Sequence, residues 1–316
     1  MIYIDDSIMQ KGCQATAGSK ILENFIAPFD ATVVTRLSEK IEMVKLAEFG
    51  LGDPGELPGS PLLCNDIFGH VRHRAAIQGL FYIRPTYGTV SRYGLIPAAS
   101  SMDQIGIVCR EPAEGFSLLS AIAGNDPNDG AMFPEKNYTY KAEKKELRWS
   151  APHQTKAVAG KSGAKGIIEY SDTYGDIYNQ IMAILGYAEI SNNISRYDGL
   201  KFGFRAASYK NLDDLYIKTR TEGFGLEAKL VSVMGFLVLT QDYYTKYYDK
   251  ALKIRRLIKE SLRFDTYDVI ALPVDNHLAV LAGLPSLTFN CDGNGVQLVA
   301  DVKKENVLLS AWEAIK

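Results

Sequence analysis

The sequence lacks any apolar run approaching the roughly 20 residues that a membrane-spanning helix requires. Its first ten residues carry two aspartates where a secretory signal would be basic, and their apolar core is too short for such a signal. An excess of one charge is also missing, because 35 basic and 37 acidic side chains leave a formal net charge of −2. We therefore expect no membrane segment and no global field that recruits nucleic acid.

Cysteine is scarce and scattered. The four cysteines lie at Cys13, Cys64, Cys109 and Cys291 in a chain of 316 residues. Such spacing is typical of a reduced, cytoplasmic protein and argues against a disulfide scaffold. Internal repeats and low-complexity tails are missing as well. With 47% hydrophobic residues, the chain is long enough to bury a large core.

Apolar spacing predicts strands that alternate with helices, which indicates an α/β sheet between helical layers. One helix is expected where Asp30 would cap an apolar stripe at residues 34–44. The run 230–239 is apolar almost throughout and predicts a fully buried helix. Further helices are expected at 112–123, 176–193, 212–221, 241–262 and 306–315, and strands at 2–8, 269–274, 287–290 and 296–300.

Two segments depart from this alternation. Residues 62–106 mix glycines and polar side chains with two short apolar runs, which predicts a buried, irregular active-site floor rather than a plain helix or strand. Residues 141–165 are basic and poorly periodic. We interpret them as a variable surface connection, with at most one short strand at 146–151, inside a single domain of residues 1–316.

Short blocks spread over nearly the whole chain carry a family resemblance. They read QKG at 10–12, AGSK at 17–20, DATVV at 30–34, PTYGTVSRYG at 85–94, SSMDQIG at 100–106, SRYDG at 195–199, TRTEGFG at 219–225, LAGLP at 281–285 and GVQL at 295–298. In this order they resemble the amidase signature family, and within it the A subunits of glutamyl-/aspartyl-tRNA amidotransferases. The resemblance implies an α/β fold whose central mixed β-sheet is covered by helices on both faces, trimmed relative to the family.

The resemblance also implies a catalytic constellation of two serines and a lysine, in which neutral lysine relays a proton from the nucleophile. The family's lysine lies in an IKDNI context, and the matching text here is IDDSI, which puts Asp5 at that position. The nucleophile lies in GSDTGGSIR, which matches residues 64–72 and puts His70 there. The segment of the second serine is compressed to residues 57–60. We therefore predict a non-catalytic pseudo-amidase without catalytic residues.

Other matching positions remain. Asp66, Gly69 and Arg72 correspond to residues that frame the nucleophile loop in the family. Phe68 replaces a glycine, which puts bulk where the backbone should approach a substrate. Adjacent carboxylates such as Asp5 and the residue after it point to opposite sides of a strand, so a joint role is not expected.

Arg220 matches the family's glutamine-binding arginine, and Asp275 is matched to the partner aspartate. An arginine at this position can hold a carboxylate through two hydrogen bonds. The resemblance thus implies a ligand that is a small carboxylate or amide. We expect the family's helical N-terminal region, which helps to dock partners, to be missing before the first strand. A protein partner or homo-oligomer is a second expectation.

Three alternatives stay open. Cys64 with His70 as a base would make a rebuilt amidase or glutamine amidotransferase site, which needs a lowered thiol pKa. The histidines of residues 70–73 with Cys64 match no standard zinc spacing, so we predict neither metal nor cofactor; the sequence assigns no place to His153 and His277. The third alternative is a structural partner of a B-subunit-like protein. Basic residues at 141–145 and 255–259 lack interleaved aromatics, so tRNA contact is expected only indirectly, if at all.

Overall fold

The computed structural model describes residues 1–59, 61–143, 146–201 and 203–316. Within that part of the chain, ten strands form one mixed sheet in the order β2-β1-β3-β5-β4-β9-β10-β8-β6-β7. The strands are β1 Ile2–Asp5, β2 Ile41–Val44, β3 Leu62–Asn65, β4 Phe81–Arg84, β5 Ile105–Cys109, β6 Trp149–Ala151, β7 Ile167–Glu169, β8 Val269–Pro273, β9 Ser286–Cys291 and β10 Asn294–Ala300. The α/β prediction is confirmed.

Parallel and antiparallel pairing divide the sheet into three parts. β1 pairs in parallel with β2 and β3, and β6 pairs in parallel with β7 and β8. The strands between these two ends run antiparallel. The strands predicted at 287–290 and 296–300 are confirmed as β9 and β10, which form a hairpin with Val296 opposite Phe289 in its register.

Helices cover both faces of the sheet, as predicted. They are α1 Thr32–Thr35, α2 His70–Ile77, α3 Pro112–Ile122, α4 Lys156–Lys161, α5 Tyr178–Ile194, α6 Leu212–Gly223, α7 Leu226–Leu239, α8 Gln241–Tyr243, α9 Asp249–Glu260, α10 Leu278–Ala282 and α11 Glu305–Ile315, with a π-helical turn at Tyr244–Tyr248 between α8 and α9. β8 shows the two-sided burial, because Val269 and Ala271 join one apolar core while Ile270 and Leu272 join the other.

The predicted helix at 34–44 is wrong. Helical structure ends at Thr35, and Ile41–Val44 forms the edge strand β2 against β1. Asp30 does not cap α1, because its carboxylate accepts a hydrogen bond from the Lys11 amide at 2.7 Å. The apolar spacing fitted a helix, but backbone pairing with β1, which no local pattern reveals, decides the structure.

The predicted full burial of residues 230–239 is also wrong. One side of α7, with Ala228, Val231 and Gly235, faces the core next to α5. On the other side Leu230 is 57% exposed and Val233 is 67% exposed. A helix that is apolar all round carries no periodic signal that separates its core side from its outer side.

Two segments are more regular than their composition indicated. Residues 62–106 contain β3, α2, β4 and the start of β5, so the floor that they form is built largely from ordinary elements. Within 141–165 the predicted short strand is confirmed at Trp149–Ala151, where it is buried inside the sheet, and the helix α4 that follows it was not predicted. Ser60, Lys144 and Lys145, on which parts of these predictions rested, lie outside the described residues.

Candidate functional site

Asp5 ends β1 and is 8% exposed. Its carboxylate accepts a hydrogen bond from the Ser7 hydroxyl at 2.5 Å. Burial raises the pKa of Asp5 to about 7, against the opposing effect of the Ser7 bond, and the neighbouring charge of Asp6 adds to the rise. The position that we predicted to match the family's lysine is therefore a carboxyl group whose pKa lies near neutral pH.

Asp6 points elsewhere. Its carboxylate accepts hydrogen bonds from the backbone amide of Thr16 at 3.2 Å and from that of Gly18 at 3.0 Å, and the Thr16 hydroxyl donates a third. Gly18 has φ of +72°, and a Cβ there would lie 2.6 Å from the Leu46 carbonyl oxygen, so the loop that meets Asp6 requires glycine. Asp5 and Asp6 thus have separate partners.

The space beside Asp5 is small. A cavity of about 10 Å³ is lined by Asp5, Ser7, Gly50, Asn65 and other residues of the same loops. A volume of this size holds about one water molecule. A substrate could not reach Asp5 without rearrangement of these loops.

The loop between β3 and α2 brings together the three predicted framework residues. The Asp66 carboxylate accepts hydrogen bonds from the backbone amides of Val71 at 3.1 Å and Arg72 at 3.3 Å, which caps the start of α2. It also pairs with the buried Arg72 guanidinium at 3.3 Å. Gly69 has φ of +89°, and a Cβ there would lie 2.6 Å from Arg72 Cζ. Any larger residue at this position would therefore clash with the guanidinium.

Arg72 also ties this loop to the segment after β8. Its Nε donates to the Val274 carbonyl at 2.9 Å, and its Nη2 donates to the Asn276 carbonyl at 3.1 Å. The same Nη2 lies 3.2 Å from Nδ1 of His277. Burial, together with the Arg72 charge, lowers the pKa of His277 to about 3, so this imidazole is neutral at pH 7.

Phe68 and His70 stand at the mouth of a second cavity, of about 410 Å³. His70 is the first residue of α2 and is exposed. Phe68 packs against Tyr187 with ring centroids 5.7 Å apart. Leu51, Met182, Leu230, Val231 and His277 are among the other lining residues. Asp5 does not line this cavity, so the two residues that we predicted to match the family's lysine and nucleophile line different cavities.

Cys64 is fully buried on β3 among Leu62, Val71, Tyr82 and other apolar side chains. Burial raises the pKa of its thiol well above the ordinary value, and the charges of Asp5 and Asp66 add to the shift. A thiolate is the reactive form of cysteine. Cys64 therefore lies in surroundings that suppress nucleophilic character.

The structure does not join Arg220 to Asp275. Arg220 on α6 donates to the Ser195 carbonyl at 3.5 Å and covers the ring of Phe224 at 5.1 Å. Burial lowers the pKa of Arg220. Asp275 follows β8 and is exposed. Among the described contacts of these two residues, none links one to the other.

A larger cavity, of about 770 Å³, lies apart from these groups. Its walls include Phe25, Pro97, Ser195, Arg196 and Lys201. Of the predicted site residues in the described chain, none lines it, although Ser195 contacts Arg220. Size alone therefore does not identify the family's site.

His277 is the site residue that sequence reasoning missed. Its contact with Arg72 spans 205 positions of the chain, and the family resemblance assigned a role to Asp275 nearby but not to His277. Within the described residues, no group of three or more histidine, cysteine or acidic side chains is placed to hold a metal ion. The four cysteines are free, and none of the described helices is both long and apolar enough to span a bilayer.

Comparison with known proteins gives matches over most of the chain. The family model described as Amidase matches residues 62–156 and 167–309. The A subunit of the glutamyl-tRNA(Gln) amidotransferase of Lachnoclostridium phytofermentans is 35% identical over 86% of this chain, which spans 66% of that relative. Its counterpart from Trichodesmium erythraeum is 32% identical, over 98% of this chain and 82% of the relative.

Solved structures agree on the fold. The A subunit of the glutamyl-tRNA(Gln) amidotransferase of Thermotoga maritima superposes with a TM-score of 0.74 at 24% identity, covering 99% of this chain and 82% of that one. The peptide amidase of Stenotrophomonas maltophilia gives a TM-score of 0.76 at 20% identity, covering 99% and 81%. Together with the sequence relatives, these matches show that the chain belongs to the amidase signature family and is similar to amidotransferase A subunits.

Proposed function

We propose that this chain is an amidase-family protein that does not hydrolyse amides, and that it binds a small amide or carboxylate or serves as one component of a multi-subunit assembly. The observation that carries the proposal is the separation of Asp5 from His70. These residues match the family's base and nucleophile, yet they line different cavities. Proton transfer needs the base within hydrogen-bond reach of its partner, directly or through one water.

The pKa of Asp5 is not the decisive point. A carboxyl group with a pKa of about 7 is well suited to act as a general base. The donor that it meets, however, is the Ser7 hydroxyl, and the cavity beside the pair has room for about one water. An amide substrate has no space there, which supports a structural role for this pair.

A rebuilt site at Cys64 receives no support from its surroundings. The thiol is 0% exposed, and its pKa is raised rather than lowered. His70, its proposed base, is exposed at the start of α2. Within the described part of the chain no hydrogen bond joins the two side chains. Activity through Cys64 would need the strand β3 to open.

A role within an assembly is supported by the relatives, whose names describe them as A subunits of an amidotransferase. A second observation in favour of a partner is the exposed side of α7. It carries the apolar side chains Leu226, Val233 and Phe236, which do not line the cavities described above. Apolar side chains exposed together on one helix are typical of contact surfaces. A protein partner or a second copy is therefore part of the proposal, with tRNA involved only through such an assembly.

Arg220 and Asp275 enter the proposal as ligand-binding residues on the strength of their motif positions. Arg220 retains donors that its bond to the Ser195 carbonyl does not use. Asp275 is exposed and accessible. A joint clamp on one ligand would require movement of at least one of them.

The test is ammonia release from glutamine, asparagine, acetamide and hexanamide by the purified protein. A Cys64→Ala/His70→Ala double variant is the matched control. We expect no release from either protein, because base and nucleophile positions do not share a cavity. Release by the wild-type protein that disappears in the double variant would overturn the proposal and establish a rebuilt catalytic site.

A further inference from the structure

His277 connects the buried Arg72 to the cavity of about 410 Å³. The side chain is 9% exposed, contacts the guanidinium and is one of the residues that line the cavity. Nδ1 is 3.2 Å from Arg72 Nη2. Among the described residues, no hydrogen-bond partner is present for Nε2. One ring nitrogen is thus engaged by the protein, and the other is available to a ligand.

The chemistry of Arg72 fixes the tautomer of His277. A guanidinium has only donors, so Nδ1 must be the acceptor and cannot carry a proton. The neutral ring then carries its proton on Nε2. Arg72 is itself held by Asp66, by the Val274 carbonyl and by the Asn276 carbonyl, so it cannot turn away easily.

The charges around His277 keep the ring neutral. Burial, with smaller effects of Arg72 and His70 in the same direction and of Asp66 in the opposite one, lowers its pKa to about 3. An imidazole with this pKa does not titrate between pH 5 and 8. The Nε2–H group is therefore a permanent donor at neutral pH, without a positive charge.

The cavity walls select against charged carboxylates. They are largely apolar, with Phe68, Met182, Tyr187, Leu230, Val231 and Met234. The polar side chains in the lining are Asn179, His70, His277 and Glu227, the last on the first turn of α7, and no lysine or arginine of the described chain lines the cavity. An anion would lose its hydration against a largely apolar wall that already carries the Glu227 carboxylate, whereas a neutral polar group would not meet this repulsion. The volume lies in the range typical of small-molecule sites.

We propose that the Nε2–H of His277 donates a hydrogen bond to the carbonyl oxygen of a neutral amide, whose apolar part fills the cavity between Phe68 and α7. This inference rests on the proposed function and narrows its ligand from a carboxylate or amide to an uncharged apolar amide. It assigns recognition to a residue of the loop before α10, outside the motif positions of Arg220 and Asp275. No covalent step is involved.

The first test reads the tautomer directly in the wild-type protein. Long-range ¹H–¹⁵N correlation spectra of the imidazole rings, assigned with a His277→Gln variant, distinguish protonation at Nδ1 from protonation at Nε2. We expect the Nε2–H form of His277 with no change between pH 5 and 8. An Nδ1–H form, or titration in that range, would overturn the inference without any need for a ligand.

The second test measures binding of hexanamide and hexanoate by isothermal titration calorimetry. We expect a saturable isotherm for hexanamide and at least tenfold weaker binding of hexanoate. His277→Phe, which keeps the ring volume and removes the donor, should weaken hexanamide binding at least tenfold, and His277→Gln should restore part of it. His73→Phe on the exposed side of α2 is the matched control and should bind as the wild type does.

The two proposals fail separately. Hexanamide that binds and is hydrolysed would contradict the absence of amidase activity and leave the role of His277 standing. Equal binding of hexanoate and hexanamide, or binding that is unaffected by His277→Phe, would reject His277 as the donor even if no ammonia is released. Absence of hexanamide binding in the folded wild-type protein would reject the cavity as an amide site.

Discussion

At the scale of single residues, the buried carboxyl group of Asp5 has a hydroxyl group as its side-chain hydrogen-bond partner. Asp5 is held by the Ser7 hydroxyl, and Asp6 next to it has separate hydrogen bonds from Thr16 and Gly18. Because burial favours the neutral form, Asp5 keeps its proton in the folded chain at pH values where the unfolded chain has lost it. This difference links the stability of the protein to pH.

We predict that Asp5→Asn removes a pH dependence of stability between about pH 4 and 7. The folded pKa of about 7 exceeds the ordinary 3.8, so the folded state binds the additional proton in this window. The wild-type free energy of unfolding should therefore fall as pH rises, by on the order of 2–4 kcal/mol relative to the variant. Urea unfolding of both proteins at several pH values measures the difference.

Asp53→Asn is the matched control. Asp53 is exposed, and its hydrogen bonds from the Gly55 amide and from Arg74 lower its pKa, which reverses the sign of the linkage. The stability that Asp53 contributes should be present above the ordinary pKa of an aspartate and should be lost as the pH falls below it. If the free energy of unfolding varies with pH in the same way for the wild type and for Asp5→Asn, Asp5 is ionised in the folded state and the prediction is wrong.

At the scale of elements, helices α5 and α7 pack closely because one residue of α7 has no side chain. A Cβ at Gly235 would lie 2.1 Å from the Tyr187 carbonyl oxygen and 2.4 Å from the Ser191 hydroxyl. The carbonyl oxygen belongs to the backbone of α5 and cannot move without disturbing that helix. The close approach keeps Val231 in the core, and it leaves Val233 on the outer side of α7.

We predict that Gly235→Ala destabilises the protein by about 1–3 kcal/mol, because an added methyl group overpacks the α5–α7 contact. Gly160→Ala in α4 is the matched control, since the nearest atom to its Cβ would be 4.0 Å away. Alanine should there be neutral or stabilise by about 0.5–1 kcal/mol through helix propensity. Equal effects of the two substitutions in urea unfolding would contradict the packing argument.

At the scale of the whole molecule, one sheet extends through the described chain from β2 at one edge to β7 at the other. The fluorescence of the two tryptophans of the chain reports on two different parts of the structure. Trp149 is buried in β6, and Trp312 on α11 packs edge-on against Phe289 with ring centroids 5.1 Å apart. A single domain of residues 1–316 remains our proposal, and these two reporters provide its test.

We predict that unfolding is one cooperative transition, because the strands at both ends of the chain share one sheet and its cores. Urea midpoints from far-ultraviolet circular dichroism, from Trp149 fluorescence in a Trp312→Phe variant and from Trp312 fluorescence in a Trp149→Phe variant should coincide. The variants are each compared with their own circular dichroism curve. Two separate transitions would indicate independent units and contradict the single domain.

The sequence by itself determined the family, most helices and the last two strands. Blocks such as residues 85–94 and 219–225 preserve side chains at fixed local spacing, and apolar residues recur at helical spacing in Pro112–Ile122 and Tyr178–Ile194. The match of Asp5 to the family's lysine position also rests on the order of residues alone, and it stays a prediction. These features depend on neighbours within a few turns of the chain.

Only the tertiary structure decided which of these residues share a space. The strand β2, the half-exposed α7, the separation of Asp5 from His70 and the bond from Arg72 to His277 all depend on contacts between distant parts of the chain. Apolar periodicity records how strongly a side chain favours burial, but not against which element it is buried. Backbone pairing and hydrogen-bond geometry make that choice, and they exist only once the chain has folded.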